Sequence, residues 1–263
     1  MQETLLGITL LTGSDNTIIP DIVTTIGDKA FKGKNIENLY IPDSVNTIGS
    51  YAFSDNVNLK SIRIGKNVQT IGTDIFKNCA NIEYVKWDSE TTNFITSTDS
   101  EYIFESSKSN IKNVIFGDNV TCINDFFGYL DGLENISIPK NISNIKTGAF
   151  RHCTSLKNVF WNAESCESLD YNAFYTIQKI TFGEGVKIIP KNLSDALSSH
   201  IQSIIIPDNV KEIGDNAFSG TTIDIFTLGS GIEKMGLHTM FKINLLRIKN
   251  IVNWLSVPKT SYI

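Results

Sequence analysis

Histidine and cysteine are the residues best able to act as general bases, nucleophiles or metal ligands, and both are scarce in this sequence. The 263 residues include three histidines and four cysteines. The histidines occupy unrelated positions in the chain's sequence repeats, and no C-x-x-C pair supports a zinc site. His152 lies in an F-x-H-C stretch, which favours a turn or a structural role over catalysis. All four cysteines are expected to be reduced and mostly buried: Cys79, Cys122, Cys153 and Cys166.

Glycine-rich and acidic segments also predict no catalytic site. The GEG at 183–185 and the GSG at 229–231 lack the strand–helix context and the third glycine of a dinucleotide-binding loop, and are typical of turns. Acidic residues are spread singly, and no pair recurs at a spacing that indicates a glycosidase. We therefore expect a protein that is not an enzyme and has no cofactor and no metal site.

Composition limits the partners of the chain. It is 41% hydrophobic and 19% charged, with a net charge of −5, so no basic excess is available to neutralise nucleic-acid phosphates. No apolar run approaches the ~18 residues of a transmembrane helix. The first residues, MQETLLGITLLTG, lack the basic region of a signal peptide. The chain is expected to be either cytoplasmic or, as we favour, a secreted protein without its leader.

An internal repeat of about 23 residues organises the sequence. IPDSVNTIGSYAF (41–53), IGKNVQTIGTDIF (64–76) and IPDNVKEIGDNAF (206–218) share one frame. Successive landmarks at the end of this frame are 21 to 28 residues apart: Phe31, Phe53, Phe76, Phe104, Phe127, Phe150, Phe174, Leu197, Phe218 and Phe241. A register held over ten copies predicts units that bury their apolar sides by stacking on their neighbours.

Each unit carries an apolar pattern of the form L-x-x-I-x-I, as in Leu59, Ile62 and Ile64. The last three positions alternate inward and outward, which indicates a half-buried strand. A proline or glycine, such as Pro42 or Gly65, then ends the strand. A second apolar pair and the "AF" segment follow and lead the chain back to the core.

The unit LKSIRIGKNVQTIGTDIFKNC (59–79) resembles the BspA-like, or treponemal-type, leucine-rich repeat, and the resemblance covers residues 17–250. It implies an α/β-type repeat solenoid with one curved parallel β-sheet and short helical or irregular segments on the other side. Two units depart from the motif: 86–104 has five extra residues, and 160–174 has Asn162 where a proline or glycine is usual.

The domain organisation follows from the unbroken repeat register. We expect a single domain over residues 1–263, with about ten repeats and caps at 1–16 and 251–263. At the N-terminal end, Leu5, Ile8 and Leu10 repeat the strand spacing and predict a degenerate first strand.

The outward positions of the predicted strands form the candidate binding surface, on the concave side of the solenoid. Arginine and aromatic residues are typical of binding hot spots, and exposed apolar groups often mark contact sites. β-Branched and aromatic residues are also common on any sheet surface, whether or not it binds a ligand. Asn113, Asn135 and Asn158 are explained equally well by side-chain amide hydrogen bonds between neighbouring strands and by a ligand. The candidate residues are Tyr40, Arg63, Tyr84, Lys86, Ile115, Phe160, Ile205, Ile225 and Arg247.

These patterns predict a non-enzymatic binding module whose concave sheet contacts a protein or glycan. The resemblance implies a bacterial cell-surface or secreted protein that mediates adhesion, with host matrix or another cell's surface as partner. The main alternative is a structural spacer or stalk that presents another domain. A catalytic solenoid similar to a β-helix polysaccharide lyase would need clustered acidic and basic residues on one strand face, and the sequence pattern shows no such cluster.

Overall fold

Stacked parallel β-strands joined by turns build the structure, with almost no helix among the described residues. The computed structural model describes residues 8–13, 18–90, 93–94 and 102–248, with the backbone alone at 93–94 and 240–248. Every strand pairing within these ranges is parallel. The chain divides into two compact units, one running to Val120 and including Tyr129–Gly132, the other comprising Thr121–Gly128 and the residues from Leu133 onward. The expected single domain stays a prediction.

Unit 1 contains two parallel sheets. The L-x-x-I-x-I segments form one, in the order β3-β5-β7-β9, and the shorter apolar pairs form the other, in the order β1-β2-β4-β6-β8. The strands are β1 (Ile8–Leu10), β2 (Val23–Ile26), β3 (Asn38–Tyr40), β4 (Thr47–Ile48), β5 (Ser61–Ile64), β6 (Thr70–Ile71), β7 (Tyr84–Trp87), β8 (Asn93–Phe94) and β9 (Asn113–Phe116).

Unit 2 repeats this plan in four short sheets, with orders β10-β12, β11-β13-β14, β15-β17-β19 and β16-β18-β20. The strands are β10 (Cys122–Ile123), β11 (Asn135–Ile138), β12 (Asn144–Ile145), β13 (Asn158–Trp161), β14 (Lys179–Phe182), β15 (Ile188–Ile189), β16 (His200–Ile205), β17 (Glu212–Ile213), β18 (Phe218–Leu228), β19 (Lys234–Met235) and β20 (Met240–Ile248).

The predicted solenoid of parallel strands is confirmed. The prediction of one sheet is incomplete, because the shorter apolar pairs form further sheets. Two-residue strands such as Thr47–Ile48 pair with Thr70–Ile71 because stacked coils bring the same dipeptide into register. The predicted first strand exists at Ile8–Leu10, yet it joins this second sheet by pairing with Val23–Ile26. The predicted C-terminal cap at 251–263 lies outside the described residues, as does part of the longer unit at 86–104.

The predicted helical segments are not confirmed. Helix within the described ranges amounts to three short 3₁₀ segments at Glu105–Ser107, Asp125–Phe127 and Leu193–Ala196. In the "AF" turns the backbone enters the left-handed region on both sides of the phenylalanine, with φ of 58° at Tyr51 and 62° at Asp55 around Phe53. Residues in that region interrupt a right-handed helix, so the segment folds as consecutive turns.

The phenylalanines of these turns stack along the core of each unit. In unit 1 the ring centroids of Phe31, Phe53, Phe76 and Phe104 follow one another at 5.2, 5.9 and 5.7 Å. In unit 2 Phe127, Phe150 and Phe174 stack at 6.1 and 5.0 Å. All seven side chains are buried, so this column supplies much of the apolar area that holds neighbouring coils together.

Singly spaced acidic residues connect one coil to the next. The Asp28 carboxylate accepts a hydrogen bond from the backbone N–H of Ser50 at 2.7 Å, 22 residues further on. In unit 2 the Asp215 carboxylate accepts from the N–H of Leu237, also at 2.7 Å. These turn acids therefore satisfy backbone donors that the short strands leave unpaired. No helix among the described residues is long and apolar enough to cross a membrane.

Candidate binding face

Four of the predicted residues lie side by side on the outward surface of unit 1. The strand register places Tyr40 of β3 beside Arg63 of β5, Arg63 beside Lys86 of β7, and Lys86 beside Ile115 of β9. Tyr40 is 45% exposed and Ile115 is 46% exposed. We call these four residues the outward row. Two cations thus occupy its middle, and an apolar or aromatic side chain occupies each end.

A half-buried carboxylate orients both cations of the outward row. Arg63 Nε donates a hydrogen bond to Asp88 Oδ2 at 2.9 Å, and Lys86 Nζ lies 3.8 Å from the same oxygen. The Asp88 side chain is only 13% exposed. The Arg63 guanidinium also lies over the Tyr40 ring, 5.2 Å from its centroid. The hydrogen bond to Asp88 raises the pKa of Arg63, so this side chain stays charged.

Beside the outward row lies an open groove of about 390 Å³. Cations and carboxylates line it in equal number, and Ile115 contributes apolar surface. The charged lining residues are Arg63, Lys66, Lys86, Asp43, Asp88 and Asp118. Sequence reasoning missed Lys66 and the three acids. A signal for Asp88 was available, because it directly follows a strand where the other units place proline or glycine.

Tyr84 occupies the other outward column of unit 1. It is half-buried and lies in register with Ser61 of β5 and Asn113 of β9. In the same column the Ser61 hydroxyl donates a hydrogen bond to the Asn38 side-chain oxygen. The structure therefore places Tyr84 in a mainly polar ladder beside the outward row, rather than within it.

The candidate residues of unit 2 are spread over two sheets. Phe160 is 48% exposed between Ser137 and Thr181, and Ile205 is 58% exposed beside Thr227. Ile225 is half-buried in the other column.

Other polar positions of unit 2 serve the sheet itself. Asn158 Nδ2 donates to Asn135 Oδ1 at 2.7 Å, which confirms a side-chain amide ladder between these two residues. Arg247 follows Thr227 in the backbone register, and its side chain lies outside the described residues.

His152 lies in a turn and the four cysteines are free and mostly buried, as the sequence predicts. His152 has a φ of 56° in a turn, and its ring centroid lies 5.6 Å from that of Tyr175. Of the four free cysteines, three are buried and Cys122 is half-buried. The Cys79 thiol donates to the carbonyl of Phe53 at 3.2 Å. Across the described ranges, no three His, Cys, Asp or Glu side chains gather closely enough to hold a metal ion.

Burial should make the inner thiols slow to alkylate. Desolvation raises the pKa of Cys79 and of Cys166 to about 11. The thiolate is the form that reacts with iodoacetamide. At pH 8, a thiol with a pKa of about 11 has about a hundredfold less thiolate than one with the ordinary pKa near 9. In the native protein we expect iodoacetamide to modify Cys122 first. We expect Cys79 and Cys166 to react at least about a hundredfold more slowly in the native protein than in urea, as measured by peptide mapping with mass spectrometry. Equal native rates at Cys79 and Cys122 would contradict the buried placement.

Comparison with known proteins identifies the repeat type. A family model for the BspA-type leucine-rich repeat region, six copies long, matches residues 12–126 and again 123–247. No curated protein matches the chain.

Solved structures of leucine-rich repeat proteins are similar to this one. A leucine-rich cell-surface protein from Faecalibacterium prausnitzii is 20% identical, with coverage of 92% of this chain and 87% of that one and a TM-score of 0.39. A leucine-rich repeat protein from Bacteroides ovatus is 19% identical, with coverage of 82% and 79% and a TM-score of 0.35. The leucine-rich repeat protein of T. pallidum is 19% identical, with coverage of 97% and 84% and a TM-score of 0.29.

Proposed function

The chain belongs to the BspA-type leucine-rich repeat family, and on this premise we propose that it is a binding module whose outward row contacts a protein or glycan. Proteins of this repeat family are generally not enzymes. The family also supports a location at a bacterial cell surface or in the secreted fraction, where such a module would mediate adhesion to host matrix or to another cell. Fold alone does not assign a ligand, so the proposal depends on the residues of the face.

The outward row is the observation that carries this proposal. Aromatic and aliphatic side chains suit any sheet surface, but in this row they flank a pair of cations, one of which a carboxylate holds in place. Tyr40 and Ile115 expose nearly half of their surface, and Arg63 is held in one orientation by Asp88 and the Tyr40 ring. Preorganised arginine and exposed aromatic rings are the side chains that contribute most at protein interfaces.

A structural spacer is the second candidate. The regular links between coils, such as Asp28 to Ser50 and Asp215 to Leu237, favour a stiff rod within each unit. Because each coil contacts mainly its neighbours, such a rod would tolerate changes on its outer surface. A spacer requires no ligand on the outward row, and this separates it experimentally from the binding module.

Replacing the whole outward row with serine tests the binding module. The variant Tyr40→Ser, Arg63→Ser, Lys86→Ser, Ile115→Ser should lose at least about tenfold in affinity for immobilised host-matrix proteins or whole cells, because hot-spot side chains each contribute more than about 1 kcal/mol. It should still unfold cooperatively, with a thermal midpoint lowered by no more than about 10 °C, because the change leaves the half-buried Asp88 carboxylate without its two cations.

A matched control uses exposed residues outside the outward row. Val57→Ser with Lys60→Ser removes an exposed aliphatic group and an exposed cation of the same unit, and it should leave binding unchanged. Undiminished binding by the four-site variant would reject the face. Failure of the unaltered protein to bind any of these surfaces would favour the spacer.

A further inference from the structure

The cations of the groove keep unused hydrogen-bond donors. Arg63 uses Nε for Asp88, and its two Nη groups form no hydrogen bond with a described residue. Lys86 Nζ lies 3.8 Å from Asp88, and Lys66 Nζ lies 3.6 Å from Asp43. Both separations exceed hydrogen-bond length, so these ammonium groups are attracted to a carboxylate without being saturated by it.

The carboxylates of the groove, in contrast, are already engaged. Asp88 Oδ2 accepts from Arg63 and faces Lys86, and it is largely buried. Asp43 Oδ1 accepts the backbone N–H of Lys66 at 3.1 Å, and Asp118 has a partner as well. The charged members of the outward row are both cations, so a ligand carboxylate lying over the row would meet the available donors of Arg63 and Lys86. Charge complementarity thus selects an anionic ligand.

The two ends of the outward row favour an acidic peptide over an acidic sugar as the ligand. Strands lie about 4.8 Å apart, so Tyr40 and Ile115 are separated by roughly 14 Å across three strand steps. Four or five residues of extended peptide, at about 3.3 Å each, match that length. A polyhydroxylated sugar gains little from the aliphatic Ile115 side chain, whereas a peptide carries apolar side chains between its carboxylates.

We propose that the outward row binds an extended acidic segment of a protein partner. Its carboxylates pair with Arg63 and Lys86, and its apolar side chains pack on Tyr40 and Ile115. This inference rests on the proposed function, because it names the ligand class of the same face.

Defined peptides test the charge requirement. The fluorescein-labelled pentapeptide Leu-Asp-Asp-Asp-Leu places its two leucines and its central aspartate on one face when extended. It should bind the full chain in an anisotropy titration, and more weakly at 200 mM than at 50 mM salt. The same peptide with asparagine in place of aspartate should bind at least about tenfold more weakly, as should the acidic peptide to the Arg63→Gln, Lys86→Gln variant. Lys60→Gln is the matched control and should bind normally. Equal binding of the aspartate and asparagine peptides would overturn the proposal.

Replacing Asp88 is expected to strengthen peptide binding, a result that partial unfolding of the protein cannot produce. Asp88→Asn removes the internal carboxylate that competes with the ligand, so the acidic peptide should bind severalfold more tightly. Asparagine fits this position, because Asn162 follows Trp161 where Asp88 follows Trp87. Each lies against the glycine that follows the next strand, Gly183 or Gly117. Weaker binding by Asp88→Asn would contradict the proposed pairing.

The outcomes separate this inference from the proposed function. If the four-site serine variant loses matrix or cell binding but the aspartate peptide does not bind the unaltered protein, the binding module stands and the acidic-peptide assignment fails. Tighter binding of polygalacturonate than of the peptide would overturn the peptide assignment in favour of an acidic glycan. If binding of the peptide is lost in Arg63→Gln, Lys86→Gln and strengthened in Asp88→Asn, both proposals are supported.

Discussion

Phe53→Ala should lower the free energy of unfolding by about 3–5 kcal/mol, the range for truncating a buried phenylalanine. The Phe53 ring is fully buried and stacks on Phe31 and Phe76, with centroids 5.2 and 5.9 Å away. Alanine would leave a cavity bordered by two rings that the turns on either side hold in place. Urea denaturation followed by far-ultraviolet circular dichroism measures the loss.

Two further variants keep this prediction specific. Phe53→Leu should cost less than Phe53→Ala, since Leu197 occupies the landmark position of this column in unit 2. Val57→Ala, at a side chain that is 55% exposed, should change stability by less than about 0.5 kcal/mol. A loss below about 1 kcal/mol in Phe53→Ala would show that the stacked rings contribute little to the cohesion of unit 1.

Asn56→Ala is expected to cost about 2–4 kcal/mol, because it leaves buried backbone groups without partners. The Asn56 side chain is fully buried, and its Nδ2 donates to the carbonyls of Phe31 and Phe53, both at 2.8 Å. Its Oδ1 also accepts the N–H of Ile36 at 3.4 Å. One amide therefore joins two successive coils. The loss is measurable by urea denaturation, and amide hydrogen exchange should show it concentrated in unit 1.

The repeat itself suggests the comparison variants for Asn56. The third residue after the phenylalanine is Cys79 in the next unit and Cys153 in unit 2. Each thiol donates to the carbonyl of the phenylalanine one coil earlier, Phe53 or Phe127. Asn56→Cys should therefore restore one of the two hydrogen bonds and part of the stability. Asn58→Ala, at an exposed amide, should be nearly neutral. Equal stability of Asn56→Ala and the unaltered chain would show that these carbonyls find other donors.

Much of the candidate site could be predicted from the alternation of one strand pattern. In–out alternation alone places Tyr40, Arg63, Lys86 and Ile115 on the outward side, and a constant repeat length places them on neighbouring strands. Alternation ends where the strand ends, and Asp88 lies immediately beyond that point. Whether its carboxylate turns back toward Arg63 depends on the path of the chain after the strand, which no periodicity describes.

One repeat encodes most of the fold: parallel strands, inward apolar columns, a phenylalanine in nearly every turn and an outward row of mixed chemistry. Each follows from local alternation and a spacing of about 23 residues. Three features could not be predicted from the repeat: two-residue segments pair into a second sheet, left-handed turns replace the expected helices, and Asp88 holds two cations. The physical reason is the same in all three cases. These features depend on hydrogen bonds and contacts between successive coils, or on a backbone path at strand ends, and such interactions exist only once the coils are stacked.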